Sequence, residues 1–388
     1  MDFIALGGAN EVGASCYYMK LAGNRILLDC GKGFTNRITY GPDFSKLYAY
    51  TDVQTLSRID AVIVSHAHYD HIAYLPVLAD QCRSTPVYAT NLTKEMGKYL
   101  MWDRVNQGSL RKETNRVKED LLIDEALERI QPVGYWQSVN IGNVKAYFYE
   151  AGHIPGAAMV YFESDERNVL YTGDFMGRAS CLTSGYHIPD SIKPDTIILC
   201  ALHAKHPHYN TYDGIEKSKA LISSCLARGK PVYILVNQLT KGIETVHVIA
   251  NKMIDRELPY ADIFIDDKIW ALAERLSNVH MKVLSKNCRR SPTRFNKIYP
   301  GVYIGAKEHS RHFEKIVHVD FSLHANYSEC VELIDKYSPS EVFVVHSPDD
   351  KFDQNNFSLA LEFPDIQVIY PVKGNLYSDV YMERKREI

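Results

Sequence analysis

The chain has 388 residues, enough for one large domain or two, and its 46% hydrophobic and 23% charged residues are typical of globular proteins. Its net charge of −3 excludes a strongly basic or strongly acidic protein. No apolar run reaches the roughly 18 residues that a membrane span needs, and the N-terminus lacks the basic start and apolar stretch of a signal peptide.

Cysteine usage indicates a reducing compartment. The eight cysteines are scattered singly and form no CxxC pair, which argues against a disulfide framework and against a thiolate zinc site. We therefore expect a cytoplasmic protein that binds no membrane.

Charge is distributed unevenly along the chain. Residues 176–325 contain 21 Lys and Arg residues against 14 Asp and Glu residues, whereas the rest of the chain is acidic. A basic segment of this kind suits a polyanionic partner. An uneven spread of solvated surface charge explains the pattern equally well.

The first 175 residues are predicted to form short strands with tight turns. Segments 16–23 and 25–31 are typical of a hairpin, 60–68 of a buried strand that ends in a loop, and 144–153 and 168–175 of two more strands. Residues 92–130 are charged, with apolar side chains at helical spacing, and are predicted to be helical.

After residue 175 the pattern changes to alternating strands and helices. Predicted strands at 195–202 and 231–236 alternate with helices at 215–229 and 242–254, which indicates a βαβ-type unit with a parallel sheet. A helix at 327–337 and a strand at 341–347 follow. Because there is no repeat, low-complexity run or linker, we expect one domain inserted within another.

The segment "SHAHYDH" places four potential ligands directly after a predicted strand. His66 and His68 alternate, so on an extended segment they point the same way. Asp70 and His71 follow as the chain turns and can face a second metal ion. Imidazole and carboxylate are preferred ligands of zinc and similar metals.

Three more potential ligands stand at the ends of predicted strands. His153 precedes a Pro-Gly turn, Asp174 lies in "LYTGDF", and His346 ends the strand "EVFVVHS". Asp174 would supply a bridging carboxylate. The sequence therefore predicts two divalent metal ions, which can polarise a phosphoryl oxygen and generate hydroxide from water. Zinc is the expected metal, with manganese as the alternative.

"SHAHYDH" resembles the HxHxDH signature of the metallo-β-lactamase superfamily, and the other markers follow in that family's order. The resemblance covers most of residues 1–175 and 320–388. It implies an α/β fold, a four-layer αββα sandwich. "GGANEVGASCYYMKLAGNRILLDCG" and "DFSLHANYSECVELIDKYSPSEVFVVHS" resemble the narrower β-CASP nuclease group, the latter its motifs B and C. In that group an α/β domain is inserted, here at 176–319.

The resemblance also implies a role for each matched residue. One metal would be held by His66, His68 and His153, and the other by Asp70, His71 and His346. Asp174 would bridge the two, and Asp29 would orient a histidine ligand. A bridging hydroxide would attack phosphorus while His324 assists the departing oxygen. Asp70 and His324 are therefore the expected catalytic residues, and RNA is the expected substrate. A homo-oligomer is compatible with the family.

The inserted segment departs from the family pattern. Cys200 stands where motif A has a carboxylate, and the insert is shorter than usual. The nearby His203, His206 and His208 are expected to form a polar loop, with phosphate binding as the alternative. The segment 286–297 is the most basic stretch. Its Arg289, Arg290 and Arg294 suit nonspecific phosphate contacts, although a solvated loop explains them equally well.

Three functions fit these observations. The first is a β-CASP-like metal-dependent ribonuclease. The second is a hydrolase of a small phosphodiester or another ester, with the insert as a lid over a smaller pocket. The third is a non-catalytic nucleic-acid-binding protein. The complete set of predicted metal ligands argues against the third.

Overall fold

The computed structural model describes residues 1–35, 38–108, 113–203, 213–279, 281–292, 295, 297–319, 321–347 and 358–378. The chain divides into two compact units. The first comprises Met1–Arg178, Ser184–His208 and His324–Ile388, and the second comprises Ala179–Thr183 and Tyr209–Leu323. Among the described residues, no helix has the length and apolar character needed to cross a membrane.

The strands of the described residues are β1 (Asp2–Gly7), β2 (Cys16–Leu21), β3 (Asn24–Leu28), β4 (Gly33–Thr35), β5 (Ile38–Tyr40), β6 (Ala61–Ile63), β7 (Val87–Ala89), β8 (Ile130–Pro132), β9 (Ser138–Ile141), β10 (Val144–Glu150), β11 (Ala158–Glu163), β12 (Val169–Tyr171), β13 (Thr196–Cys200), β14 (Val232–Leu235), β15 (Ile263–Ile265), β16 (Cys288–Arg290), β17 (Val302–Gly305), β18 (Ile316–His318), β19 (Glu341–Val345), β20 (Gln367–Ile369) and β21 (Leu376–Ser378).

The α-helices are α1 (Ser45–Tyr50), α2 (Tyr69–Ile72), α3 (Leu75–Gln81), α4 (Asn91–Gly108), α5 (Glu113–Glu128), α6 (Asp213–Ala227), α7 (Leu239–Ile254), α8 (Asp267–Asn278), α9 (Lys307–Ser310), α10 (Tyr327–Tyr337) and α11 (Leu359–Glu362). The predicted hairpin is formed by β2 and β3, which pair antiparallel. The helical pattern over 92–130 corresponds to two helices, α4 and α5.

Two seven-stranded sheets form the first unit. Their strand orders are β21-β1-β2-β3-β6-β7-β8 and β20-β19-β13-β12-β11-β10-β9. The sheets pack face to face through one hydrophobic cluster. In it the rings of Phe3 and Phe343, one from each sheet, have centroids 4.4 Å apart, and Tyr17 meets Tyr171 edge-on at 6.0 Å.

Helices cover the outer face of the first sheet. A second cluster joins the first sheet to Leu47 of α1, Leu78 of α3 and Ile123 of α5. On β19, Val342 and Val344 alternate with Phe343 and are fully buried, so the outer face of the second sheet is covered as well. The arrangement confirms the predicted α/β fold with a four-layer αββα sandwich.

The second unit contains a parallel sheet of its own. Five strands lie in the order β16-β15-β17-β14-β18, and every pair is parallel. Helices α6 to α9 connect or follow these strands, as expected for βαβ connections. The parallel sheet predicted for this part of the chain is present.

One strand lies elsewhere than its predicted place. The sequence pattern assigned residues 195–202 to the inserted segment 176–319, yet β13 pairs in parallel with β12 and β19 in the second large sheet. All five of its residues are buried. Residues 184–208 therefore belong to the first unit, because an apolar strand is stabilised most where both of its faces and both of its edges are covered.

The contact between the sheets generates a stability prediction. Phe343→Ala should lower the free energy of unfolding of the first unit by about 3–5 kcal/mol, because it removes a buried ring and leaves a cavity. Phe34→Ala, at a half-exposed position on β4, is the matched control and should cost well under ~1 kcal/mol. Urea unfolding followed by circular dichroism measures both. Equal losses would contradict a core that depends on this contact.

Candidate metal centre

The candidate site lies where parallel strands end. β3 runs parallel to β6 in one sheet, and β12, β13 and β19 run parallel in the other. Asp29 follows β3, Asp174 follows β12 by three residues, and His346 follows β19 directly. A rigid scaffold can bring short loops of this kind to one point.

The histidine motif turns from β6 into the short helix α2. His68 precedes this helix in an extended conformation, and Asp70 and His71 lie within it. The Cys30 backbone N–H donates to the His71 carbonyl at 2.8 Å. A Cβ on Gly31 would lie 1.7 Å from the Asp70 carbonyl oxygen, so only glycine allows the strand end to pass this close to α2.

A first group of four donors surrounds one potential metal position. It consists of His66, His68, His153 and Asp174, whose ligand atoms all lie within 4.8 Å of one another. His68 Nδ1 lies 3.2 Å from His66 Nε2 and 3.0 Å from His153 Nε2. Three imidazoles and a carboxylate are a suitable donor set for a divalent metal.

A second group of three donors lies beside the first. Asp70, His71 and His346 also keep their ligand atoms within 4.8 Å. Asp70 Oδ2 lies 4.0 Å from His71 Nε2 and 3.9 Å from His346 Nε2. The structure therefore brings together all seven residues that the sequence predicted as ligands, in two groups.

Asp174 connects the two groups. Its Oδ2 lies 3.6 Å from His66 Nε2 and 3.8 Å from His153 Nε2 on one side, and 3.5 Å from His71 Nε2 on the other. Among the described residues, His71 Nε2 and Asp174 Oδ1 are buried without a hydrogen-bond partner. Because buried polar atoms rarely stay unsatisfied, these atoms fit a site that takes up a cation.

Asp29 is fully buried and accepts hydrogen bonds from two residues of the SHAHYDH motif, Ser65 and His71. The Ser65 N–H and Oγ donate to it at 2.6 and 2.7 Å, and His71 Nδ1 lies 2.6 Å from Oδ2. The Tyr171 hydroxyl also donates to Oδ2. In the neutral form of His71, Nδ1–H donates to the carboxylate and Nε2 carries the lone pair that a metal needs, so a metal would bind in place of the second proton.

Serine hydroxyls contact the Nδ1 atoms of two other imidazoles, His66 and His346. Ser65 Oγ donates its proton to Asp29, so its 3.0 Å contact with Nδ1 of His66 requires the imidazole to donate. Ser15 Oγ lies 3.2 Å from Nδ1 of His346. Both contacts leave Nε2 of the imidazole directed at Asp174 Oδ2, at 3.6 Å for His66 and 3.8 Å for His346.

The electrostatics of the site also fit cation binding. Burial lowers the pKa of His68 to about 3 and that of His66 well below its usual value, so both imidazoles are neutral and could serve as metal ligands. Although burial opposes protonation, the carboxylates of Asp174 and Asp29 raise the pKa of His71 to about 10. Despite burial, neighbouring imidazoles, His346 foremost, hold the pKa of Asp174 well below its usual value.

His324 borders the first group of donors. Its Nδ1 lies 3.5 Å from Asp174 Oδ2, and its ring centroid is 4.4 Å from that of His153. Its side chain is 20% exposed, unlike the buried ligand histidines. An imidazole in this position can reach both the donor cluster and a substrate. Burial, followed by the neighbouring His153, lowers the pKa of His324 well below its usual value.

Cys200 does not contact this cluster as a carboxylate of motif A would. Its side chain belongs to the core between the sheets, and its Sγ lies 3.9 Å from the Tyr171 hydroxyl. The predicted polar loop begins at His203, which is described. His206 and His208 lie outside the described residues.

The basic stretch is partly neutralised. Arg289 Nη2 lies 3.2 Å from Asp262 Oδ1, and Arg290 Nε lies 2.6 Å from Asp267 Oδ1. Both guanidinium groups are about half exposed. Arg294 lies outside the described residues. A phosphate would have to compete with a carboxylate at each described arginine.

Sequence reasoning missed three residues that support the site. Ser15, Ser65 and Tyr171 hold the far nitrogens of the ligand histidines or the Asp29 carboxylate. Ser65 directly precedes the histidine motif, which was an available signal. The others come from distant segments, and no local pattern distinguishes them.

Comparisons with known proteins agree with this geometry. A family model described as the metallo-beta-lactamase superfamily domain matches residues 18–197. A second, described as the Zn-dependent metallo-hydrolase RNA specificity domain, matches residues 311–371. Residues 18–197 therefore match the metallo-β-lactamase superfamily. Together with the donor set, the two matches support divalent metal binding.

The curated relatives of this chain include an endoribonuclease, a ribonuclease and a transcription termination factor. Endoribonuclease ysh1 of Schizosaccharomyces pombe is 29% identical over 64% of this chain and 32% of its own length. A ribonuclease of Thermus thermophilus is 27% identical over 69% of this chain and 58% of its own length. The transcription termination factor FttA of Methanothermobacter thermautotrophicus is 28% identical over 74% of this chain and 45% of its own length. The relatives confirm the resemblance to the β-CASP nuclease group. The matches span about a third to three fifths of their lengths.

A solved structure of similar length shares the fold. The crystal structure of a protein of unknown function from Enterococcus faecalis superimposes with a TM-score of 0.64 at 12% identity. The alignment covers 97% of this chain and 99% of the other. The likeness concerns the fold alone.

The central carboxylate generates a metal-binding prediction. Asp174→Asn should weaken divalent-metal affinity by at least about tenfold, because it removes the charge shared by the two donor groups. Titration of metal-free protein with Zn²⁺, followed by calorimetry, measures the affinity. Asp165→Asn, at an exposed position after β11, is the matched control and should bind metal as the wild type does. Unchanged affinity in Asp174→Asn would rule out a central role for this carboxylate.

Proposed function

We propose that this chain is a metal-dependent phosphodiesterase that cleaves RNA. The observation that carries the proposal is the convergence of seven His and Asp side chains in two groups, with the Asp174 carboxylate between the other six. A site of this composition suits hydrolysis of a phosphate ester. The names of the relatives, an endoribonuclease and a ribonuclease among them, favour RNA as the substrate.

We propose two divalent ions as the cofactors. His66, His68 and His153 would hold one, and Asp70, His71 and His346 the other, with Asp174 between them. Zinc is the proposed metal, since the family match over residues 311–371 is described as Zn-dependent. Manganese is the alternative, because mixed His and Asp ligands accept both metals.

In this proposal the metal ions would polarise the scissile phosphate and supply hydroxide from water near neutral pH. The protein's own groups position these parts. Asp29 fixes the His71 tautomer through its 2.6 Å contact. His324, at the exposed side of the cluster, would donate a proton to the departing ribose oxygen once the anionic substrate offsets the burial that lowers its pKa. General acids of this kind contribute about 10²–10⁴-fold to the rate.

The second unit completes the proposal. We infer that it corresponds to the inserted β-CASP-like domain expected at 176–319, in a shortened form. We also propose that the protein acts in the cytoplasm, which agrees with its eight free cysteines. A homo-oligomer remains part of the proposal, and size-exclusion chromatography with light scattering tests it.

The proposed activity is tested with three substrates. Wild-type protein loaded with zinc or manganese should cleave labelled single-stranded RNA faster than single-stranded DNA. Asp70→Ala should abolish cleavage of RNA and of bis-p-nitrophenyl phosphate, because both need the metals. His324→Ala should lower kcat on RNA by about 10²-fold or more. It should affect the small ester less, because nitrophenolate leaves without a proton.

The controls separate the competing functions. Asp165→Ala changes an exposed carboxylate outside the site and should leave all three rates unchanged. Cleavage of the small ester alone, with His324→Ala harmless, would refute the ribonuclease proposal and favour a small-ester hydrolase. Tight RNA binding without turnover in either metal would indicate a non-catalytic nucleic-acid-binding protein.

We also propose that the basic stretch adds nonspecific affinity for RNA. Arg289→Ala and Arg290→Ala should each reduce the slope of log K against log salt by up to about one. Their carboxylate partners keep the effect small. The matched control is Arg83→Ala, an exposed arginine that also pairs with a carboxylate, Asp80. Filter binding at several salt concentrations measures the slopes. Slopes equal to the control would exclude the two arginines from RNA binding.

A further inference from the structure

The segment after β13 departs from the family pattern and yet lies beside the site. Ala201 continues the sheet by donating its N–H to the Val345 carbonyl at 3.0 Å. Cys200 directs its thiol into the core, at 3.9 Å from the Tyr171 hydroxyl. Three residues later the chain reaches His203, which is half-buried. The Cys200 thiol and the His203 ring therefore have different surroundings.

Backbone contacts tie this segment to the one that carries His324. His203 and Asn326 form a parallel β-bridge. On the other side of His324, the Ala325 N–H donates to the Phe175 carbonyl at 2.6 Å. Asn326 also caps α10 through a capping box with Glu329. The backbone around His324 is thus fixed by the loop after Asp174, by the first turn of α10 and by His203.

The ring of His324 is bounded on two sides by other imidazoles. The centroid of His153 lies 4.4 Å away, at an interplanar angle of 48°. The centroid of His203 lies 5.7 Å away, with the two ring planes at 89°. Perpendicular contacts at this distance are a favourable arrangement of aromatic rings. They also restrict rotation of His324 about its side-chain bonds, because a rotated ring would meet one of its neighbours.

The orientation in which the His324 ring is held matters for the proposed reaction. With Nδ1 of His324 at 3.5 Å from Asp174 Oδ2, Nε2 lies on the other side of the ring and is directed away from the carboxylate. A proton donor must be held within hydrogen-bond reach of the oxygen that it protonates. A ring that turns freely would spend most of its time in unproductive orientations.

We propose that His203 is a positioning residue that holds the His324 ring in its productive orientation through their perpendicular ring contact. The inference rests on the proposed phosphodiesterase function and assigns His203 a role in place of the polar loop expected from the sequence. In this assignment His203 acts through its ring on His324, and not by binding a metal or the substrate. His203→Phe should therefore keep the His324 ring in position, and His203→Ala should not.

A double-mutant cycle tests the proposal with single-stranded RNA as substrate. The proteins are wild type, His203→Ala, His324→Ala and the double variant, each zinc-loaded, with metal content measured for every protein. His203→Ala should lower kcat about 10- to 100-fold with KM little changed, as expected for a small misplacement of a catalytic group. In the His324→Ala background the same substitution should have no further effect, because its target is absent.

Two further variants keep the result interpretable. His203→Phe preserves a ring of similar shape and should stay within about threefold of wild type if the contact is one of aromatic packing. His187→Ala removes an exposed histidine outside the site and should behave as the wild type. Thermal unfolding of each variant separates loss of function from loss of folding, and His203→Phe answers the question if His203→Ala does not fold.

The outcomes separate this inference from the proposed function. An inactive wild type that holds its metals refutes the phosphodiesterase proposal and the inference with it. An active wild type with an unimpaired His203→Ala overturns the inference alone. Three other results overturn the inference alone. The first is a double variant whose loss of kcat equals the product of the two single losses. The others are a change of KM without a change of kcat in His203→Ala, and a His203→Phe variant as impaired as His203→Ala.

Discussion

A buried carboxylate surrounded by imidazoles is the constraint on which the rest of the site depends. Asp174 is 3% exposed, and its Oδ2 lies within 3.5 to 3.8 Å of five imidazole nitrogens. An ionised carboxylate in such a place costs several kcal/mol unless opposite charge compensates it. The cluster therefore favours cations, and the scaffold must hold ligands that would otherwise move apart.

The scaffold meets this requirement by fixing the imidazoles through their far nitrogens. His66, His71 and His346 each present Nε2 to the cluster while Nδ1 is held by a serine or by Asp29. Asp29 and His346 adopt positive φ angles of 59° and 53°, which non-glycine residues rarely adopt. Backbone strain of this kind persists where the surrounding structure enforces it. Here the two packed sheets on either side of the loops enforce it.

The metal site and the basic stretch belong to different units of the chain. The donors, His324 and His203 all belong to the first unit. The parallel sheet of the second unit carries the basic stretch, in which the described arginines are paired with carboxylates. Cys200, where motif A would have a carboxylate, lies in β13 of the first unit, which also holds the donor set.

The sequence by itself predicted an α/β fold with clustered potential metal ligands, and its resemblance to the metallo-β-lactamase superfamily implied the αββα sandwich and the two groups of donors that the structure brings together. Residue types and local patterns of apolar residues were enough to place potential ligands at strand ends, whereas the sandwich and the division into two groups came from the resemblance. Only the tertiary structure decided that β13 joins the large sheet, that Cys200 faces the core and that Arg289 and Arg290 have acidic partners. It also revealed that Ser15, Tyr171 and His203 lie beside the site. These facts depend on contacts between residues far apart in the chain, which no local pattern records.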